Sequence, residues 1–471
     1  MKILLLYPPD KKLIDTGLPK ILEEGVGFSP PLGILYLASS IKQLTNWEVE
    51  FIDCAAERLN FEQIRKRIEE AKPEAVGVTV TTHQLIDCLE IARIAKSLNP
   101  EVKVIFGGPH VHIYPRETAG LDAVDFVITG EAEFSIADFL NSWDNPVMFK
   151  SVPGIYFKGI NGIACGMPPA VISDLDSLPY PMRSISNYKL YASPLAKEET
   201  VTSMITSRGC PFQCIYCNRP SMGNKFRARS AKNVVDEMQE CVELGISHIK
   251  IYDDTFTIDR KRVFDICDEI SRRGLNMSWD IRAHINTVDF EMLEELKRSG
   301  CTLICYGVES GNEEMLKRIK KGITRKKTAE VFKMTRKAGM QTLAYFMIGL
   351  PGETRKQMLE TIEFSGKINP DYCHFAILVP FPATPVYSEG LAIGILPNDY
   401  WAQFAKAPTA EFKPKVWIEN VSRAEMEFLL LKAYKKFYMR PSYIAKRVLE
   451  IRSFGEFKRK VQSGLCMLRS F

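Results

Sequence analysis

Short apolar runs alternate with longer amphipathic stretches in two separate blocks of this chain. That alternation confines each block to a parallel sheet flanked by helices, because a parallel strand can rejoin its sheet only through a long crossover, usually helical. In the first block the runs at 2–7, 48–53, 75–81, 102–106 and 126–129 read as strands, with helices over 32–44, 61–71, 84–98 and 132–142. In the second, strands are expected at 202–207, 248–252, 277–281, 303–308, 342–348 and 374–379, and helices at 231–244, 260–273, 290–299, 313–319 and 326–338. The fold class is therefore α/β. A doubly wound parallel sheet is expected over 1–144, a Pro-rich β-hairpin connector turning at Asn161-Gly162 over 145–200, a partial or complete parallel (β/α) barrel over 201–395, and a basic helical region over 396–471. In both α/β architectures ligands gather at the C-terminal ends of the strands.

Charge is unevenly placed. Residues 421–471 hold twelve Lys or Arg against four Glu and no Asp, a local +8 that leaves −3 for the rest of a chain whose total is +5. Nothing forces a basic surface elsewhere, and no nucleic-acid partner is expected. No apolar stretch approaches the roughly 20 residues needed to cross a bilayer. The apolar run after Met1-Lys2 stops at Pro8-Pro9, too short for a secretory core. A cytoplasmic chain is expected. The basic amphipathic segments 423–438 and 442–471 have two readings: helices that close the barrel with a solvated basic face, or peripheral contact with an anionic membrane. The second would favour a lipid-like substrate.

Twelve cysteines in such a chain should be mostly reduced, so a tight group among them points to metal. One such group exists. Cys210-Pro211-Phe212-Gln213-Cys214-Ile215-Tyr216-Cys217 follows the first strand of the second block with the spacing Cys-x3-Cys-x2-Cys. Thiolates are the ligands of iron–sulfur clusters, and one loop can bring three of them around a cubane, leaving the fourth iron open. Zinc would need a fourth ligand, and the nearest later candidates, Cys241 and His248, form no such pair. Three structural cysteines on a loop with Gly209 and Pro211 are the least economical reading.

This triplet, with an aromatic before its third cysteine, resembles the radical S-adenosylmethionine (SAM) superfamily. The resemblance implies a [4Fe–4S] cluster on Cys210, Cys214 and Cys217 whose open iron chelates SAM, and reductive cleavage of SAM to a 5′-deoxyadenosyl radical. It implies SAM contacts from Tyr216 and from successive strand ends: Asp253 or Asp254, in place of the family's Gly-Gly-Glu; Arg282; Glu309 and Ser310; and the Ile348-Gly349 backbone near adenine. It also implies an external electron donor such as flavodoxin or ferredoxin.

A doubly wound domain ahead of such a barrel resembles the cobalamin-binding class of these enzymes, so the likeness runs through nearly the whole chain. The features that carry it are Pro30-Pro31-Leu32-Gly33, Thr79 to Thr82, Gly107-Gly108-Pro109-His110 and Thr129-Gly130-Glu131-Ala132-Glu133. Pro8, Thr79, Thr81, Gly107, Gly108, Gly130 and Glu131 are the residues it would place around cobalamin. Asp-x-His-x-x-Gly is absent, so cobalamin is expected without a histidine axial ligand; the alternative is a lid that has lost the cofactor. The class implies methyl transfer from methylcobalamin to an unactivated carbon of a small-molecule or lipid-like substrate. Radical ring closure or rearrangement without methylation, as in anaerobic Mg-protoporphyrin monomethyl ester cyclases, is the alternative. A non-catalytic cobalamin or cluster carrier stands behind both. A tRNA methylthiotransferase fits less well, because the N-terminal block lacks a second cysteine triplet.

Overall fold

In a computed structural model, which describes residues 1–14, 29–191, 200–218 and 223–449, the two blocks form two sheets whose C-terminal edges meet. The first sheet has the order β2-β1-β3-β4-β5-β6-β7. Its strands β1 (Lys2–Tyr7), β2 (Glu48–Asp53), β3 (Ala75–Thr79), β4 (Lys103–Gly107) and β5 (Phe126–Ile128) are parallel. The strand side chains alternate between faces. Ile3, Leu5, Ile105 and Ile128 meet helices α1 (Leu32–Leu44) and α4 (Glu133–Asn141), whereas Leu4, Leu6, Val76, Val78, Val104 and Phe106 meet α2 (Phe61–Ala71) and α3 (Leu85–Leu98). This sandwich is the doubly wound arrangement expected.

The hairpin assigned to a connector does more than connect. Strands β6 (Ile155–Gly159) and β7 (Gly162–Cys165) add to β5 as an antiparallel edge. Gly162 takes φ +105°, which the tight turn requires. Arg183 then plants the following segment in the second block. It is 1% exposed, and its guanidinium donates to Thr202 Oγ1 at 3.1 Å, the Ser203 carbonyl at 2.8 Å and Glu237 Oε1 at 2.6 Å.

The second sheet is six parallel strands in sequential order: β8 (Val201–Met204), β11 (His248–Ile251), β12 (Ser278–Ala283), β13 (Cys301–Glu309), β14 (Gln341–Ile348) and β15 (Tyr372–Ile377). It is a partial barrel with β8 and β15 at its edges. Outer side chains such as Ile249, Trp279, Tyr306, Ala344 and Phe375 pack under helices α5 (Ala231–Glu243), α6 (Arg260–Arg273), α7 (Phe290–Arg298), α8 (Arg325–Lys337) and α9 (Arg355–Ile368). Two-residue strands β9 (Ser207–Arg208) and β10 (Arg227–Ala228) pair antiparallel and close the base of the loop that holds the cysteine triplet.

An open barrel leaves edge-strand amides and carbonyls to be satisfied. On β15 this falls to phenols. Tyr434, in helix α10 (Arg423–Tyr438), accepts from Phe375 N at 3.0 Å and donates to Phe375 O at 2.9 Å. One turn later Tyr438 does the same for Cys373, at 3.0 and 2.7 Å, and the Tyr443 hydroxyl donates to Asp371 O at 3.0 Å. Met426, Leu429, Leu430, Ala433 and Phe437 turn the apolar face of α10 onto the barrel. The region after the barrel also returns to the first sheet, where Tyr400, Trp401 and Phe404 join the core formed by α2, α3 and their strands. No helix of the described residues is long and apolar enough to cross a membrane, and residues 450–471 of the basic tail lie outside them.

The phenol ladder gives a direct test. Tyr438→Phe keeps the ring but strands a buried edge N–H and C=O, so it should cost about 2 kcal/mol in urea unfolding. Phe428→Ser, at an exposed position on the same helix, should stay within about 0.5 kcal/mol.

Candidate active site at the facing strand edges

The cysteine loop is built from its base. Gly209 takes φ +87°, and a Cβ there would lie 2.3 Å from the Lys225 carbonyl, so the turn into Cys210 tolerates no side chain. Asp253, fully buried at the end of β11, accepts from Thr206 N at 2.6 Å, Thr206 Oγ1 at 2.6 Å and Ser207 Oγ at 2.5 Å. Arg262 donates to the Thr206 carbonyl at 2.8 Å. Phe212 stacks on His284 with centroids 3.8 Å apart. Nδ1 of His284 accepts from Asn286 N at 3.2 Å, so the ring proton lies on Nε2, which reaches Lys321 O at 3.3 Å. Burial, with the Lys321 charge beside it, brings the His284 imidazole down to about 4 and keeps it neutral.

The three thiols are neighbours. Burial pushes the Cys217 thiol up to about 11, and Cys214, Asp254 and Cys210 add to the rise. Cys210 is raised in the same way, by burial first. Among the described residues no three such groups already stand at metal-ligand distance; cation charge is what draws mutually repelling thiolates together. By donor type, spacing and position at a strand end, the loop fits a three-thiolate cluster. It does not fit zinc. Cys241 lies in the barrel's outer core, and His248 is bonded to Ser278 at 2.7 Å and Asp280 at 3.0 Å.

The strand ends sort the remaining sequence candidates. Asp254 is exposed at the mouth beside Gly209, whereas Asp253 is spent on the loop base. Arg282 lies over the Tyr252 ring at 4.3 Å, and its charge favours the ionised Asp254 carboxylate. Gly349 takes φ +79°, and its N–H donates to Glu353 Oε2 at 2.8 Å; the Ile348 carbonyl accepts from Leu378 N at 2.9 Å. Ser310 faces away from the mouth, fully buried, with its hydroxyl 3.1 Å from that of Thr361. Tyr216 is drawn under its own loop, where its hydroxyl accepts from Lys321 Nζ at 3.3 Å and burial raises its phenol.

Around the first sheet, Pro8, Thr79, Thr81, Gly107, Gly108, Gly130 and Glu131 do come to one C-terminal edge, at or just beyond the ends of β1, β3, β4 and β5. Gly108, at φ +96°, passes so close to β3 that a Cβ would meet Thr79 Oγ1 at 2.8 Å. Thr81 donates to Gln84 Oε1 at 2.9 Å. His110 is fully buried, with Nδ1 3.0 Å from Thr82 Oγ1, and burial lowers it to about 4. Glu131 is engaged by the barrel. It accepts from Arg227 at 2.6 and 2.9 Å and lies 3.4 Å from Arg208, while Glu133 takes the other arm of Arg208. Arg208 immediately precedes Gly209-Cys210, so these pairs tie the first sheet's edge to the cysteine loop. A second tie runs from Ser29 Oγ to Tyr252 OH at 3.4 Å.

Sequence reading missed Arg208, His284 and Lys321, and quoted Glu133 only as part of a motif. Each acts through a partner more than thirty residues away or across the sheet. No local pattern marks them. Only the adjacency of Arg208 to the triplet was visible.

Comparison with known proteins agrees with this geometry. The model of the radical SAM superfamily matches residues 204–365, and that of the B12 binding domain matches residues 20–140. An uncharacterised methyltransferase of Pyrococcus horikoshii is 32% identical over 461 residues, covering 96% of each chain. The anaerobic magnesium-protoporphyrin IX monomethyl ester cyclase of Cereibacter sphaeroides is 27% identical, covering 88% of this chain and 68% of its own. Among solved structures, the radical SAM methyltransferase TsrM of Kitasatospora setae, with cobalamin and a [4Fe–4S] cluster bound, aligns with TM-score 0.73 at 17% identity, over 94% of this chain and 89% of its own. The cobalamin-dependent SAM radical enzyme OxsB aligns with TM-score 0.74 at 16% identity, over 99% and 72%. At that identity these two share the fold.

Two measurements check the site. Asp253→Ala should leave the far-ultraviolet dichroism of the chain unchanged yet speed thiol-reagent labelling of Cys210 and Cys217 about tenfold, the equivalent of one lost charged hydrogen bond; unchanged labelling would remove Asp253 from the loop's support. The neutral histidines set an acid dependence. His284 is held near 4 against an ordinary 6.5, so below pH 6.5 the unfolded chain takes up a proton that the folded one refuses. Stability is whole above pH 6.5 and falls toward pH 4, by about 3 kcal/mol at most for this group. Urea unfolding at pH 7 and pH 5 should show that fall, and His284→Gln should lessen it.

Proposed function

This chain belongs to the radical SAM superfamily, in the class with a B12-binding domain built for cobalamin-dependent methylation with SAM and a [4Fe–4S] cluster, and from that premise we propose that it methylates an unactivated carbon of a small-molecule substrate. When bound, the cluster supplies the electron that cleaves SAM to a 5′-deoxyadenosyl radical, and cobalamin supplies the methyl carrier. Cys210, Cys214 and Cys217 hold the cluster. Asp254 offers its carboxylate to the SAM ammonium, since Asp253 is committed to the loop base. Arg282, over the Tyr252 ring, takes the SAM carboxylate, and the Gly349 turn, held by Glu353, borders adenine. The glycine edge at Gly107, Gly108 and Gly130, with Pro8, Thr79 and Thr81, receives cobalamin from the other side. His110, buried against Thr82, would not be available to cobalamin.

The observation that carries this reading is the bonding of Arg208, at the root of the cysteine loop, to Glu131 and Glu133 of the cobalamin-side edge. It supports a common chamber in which both cofactors act on one substrate. Reduction comes from an external donor of the flavodoxin or ferredoxin kind. Peripheral membrane contact rests on the basic residues beyond 449, since α10 gives its apolar face to the barrel.

The test is mass spectrometry of SAM products from anaerobically reconstituted protein with dithionite, cobalamin and methyl-deuterated SAM. Both 5′-deoxyadenosine and S-adenosylhomocysteine should form, and Cys214→Ala should abolish 5′-deoxyadenosine. Asp254→Ala should weaken SAM binding about tenfold, as loss of one charge-assisted contact predicts. 5′-Deoxyadenosine without S-adenosylhomocysteine would replace methylation with the cyclase-like reading.

A further inference from the structure

Beneath the cysteine loop lies a buried ion pair. Lys321 is 8% and Glu309 7% exposed, and Lys321 Nζ donates to Glu309 Oε1 at 3.0 Å and to the Tyr216 hydroxyl at 3.3 Å. Tyr216 lies between the ligand cysteines Cys214 and Cys217 in the chain, and the Glu309 and Cys214 charges add to the burial that raises its phenol. A cation thus stands against the phenol of the loop that carries the cluster thiols. Burial works against the Lys321 ammonium, and the Glu309 carboxylate 3.0 Å away is the first of the charges that offset it.

The backbone around this pair is specialised for it. Glu309 takes φ +67°, a left-handed conformation costly for a residue with a side chain. Gly307 supplies the room: a Cβ there would lie 2.3 Å from Glu309 Oε1 and 2.7 Å from Lys321 Nζ. Strain and an emptied position are retained where a charge is placed under the loop. A buried ion pair is weak as a source of stability, so the arrangement needs another explanation.

We propose that Lys321, acting through Tyr216, is a positioning residue that raises the reduction potential of the cluster on Cys210, Cys214 and Cys217, with Glu309 limiting the effect. The inference rests on the assignment of those cysteines as ligands. The step concerned is gain of one electron by the oxidised cluster, from the external donor or from dithionite in the test. A nearby cation favours the extra negative charge, and it acts strongly because the pair is shielded from water.

The experiment is a potentiometric titration of the anaerobically reconstituted full chain, followed by electron paramagnetic resonance, with iron and sulfide counted per chain. Lys321→Gln should lower the ratio of reduced to oxidised cluster at a fixed potential about tenfold, a shift of about 59 mV to lower potential for one electron. Lys321→Arg should restore it. Glu309→Gln should shift the potential in the opposite direction, a sign that general loosening of the loop would not produce. A Lys321→Gln cluster with full iron content and an unchanged potential would overturn the proposal, as would equal shifts in the Lys321 and Glu309 variants. Should Lys321→Gln lose iron, Lys321→Arg against Glu309→Gln decides by the same signs. Retention of full iron by Cys214→Ala would instead overturn the ligand assignment.

Discussion

The architecture depends on buried guanidinium–carboxylate pairing at the joint between its two sheets. Arg208 and Arg227 reach Glu131 and Glu133 on one side, and Arg183 and Arg229 converge on the fully buried Glu237 on the other. Such pairs add little net stability, because desolvation offsets most of their attraction. Their value is geometric. Removing one partner would leave a charge unpaired in the interior, at a cost of about 3–5 kcal/mol, so the two edges are held to one relative placement. Apolar contact alone would allow sliding.

From that placement the remaining features gain their meaning. A six-stranded barrel is open, and each exposed side has been given a different cover. The β8 side is met by Arg183 and by Pro30, whose carbonyl accepts from the Ser203 hydroxyl at 3.2 Å. The β15 side is closed by the tyrosines of and beyond α10, which supply the donors and acceptors a neighbouring strand would have supplied. Between these, Trp401 and its neighbours carry the chain from the barrel back to the first sheet's core. The chain therefore wraps the joint twice, once through the hairpin segment and once after the last strand. The barrel mouth remains the site toward which both edges point.

Much of the architecture was legible because it is written in local periodicity. Helices at 32–44, 61–71 and 260–273 and the first two strands coincide with the structure at both ends. Strand limits elsewhere moved by one to three residues, as where β13 begins at Cys301 in place of Leu303 and β8 ends at Met204 in place of Ser207. The hairpin turn at Asn161-Gly162 was equally visible, but its attachment to β5 was not, since strand pairing depends on the partner's free edge. Of the site, the triplet was plain. The division of labour between Asp253 and Asp254 was not: adjacent residues of one type point to opposite sides of a strand end, and only the hydrogen bonds of Thr206 and Ser207 separate them.

The sequence by itself determined the two α/β blocks, the thiolate loop and the side of each sheet on which ligands gather, because those features follow from repeats and spacings of a few residues. The tertiary structure alone decided which charges are paired. Glu131 and Ser310 carried the motif yet are committed to Arg227 and Thr361, whereas Lys321, in no motif, lies under the cluster loop. The physical reason is range. Periodicity and turn chemistry act over neighbouring residues, while the pairing of a buried charge is settled by whichever partner the folded chain brings within about 3 Å, however distant in sequence.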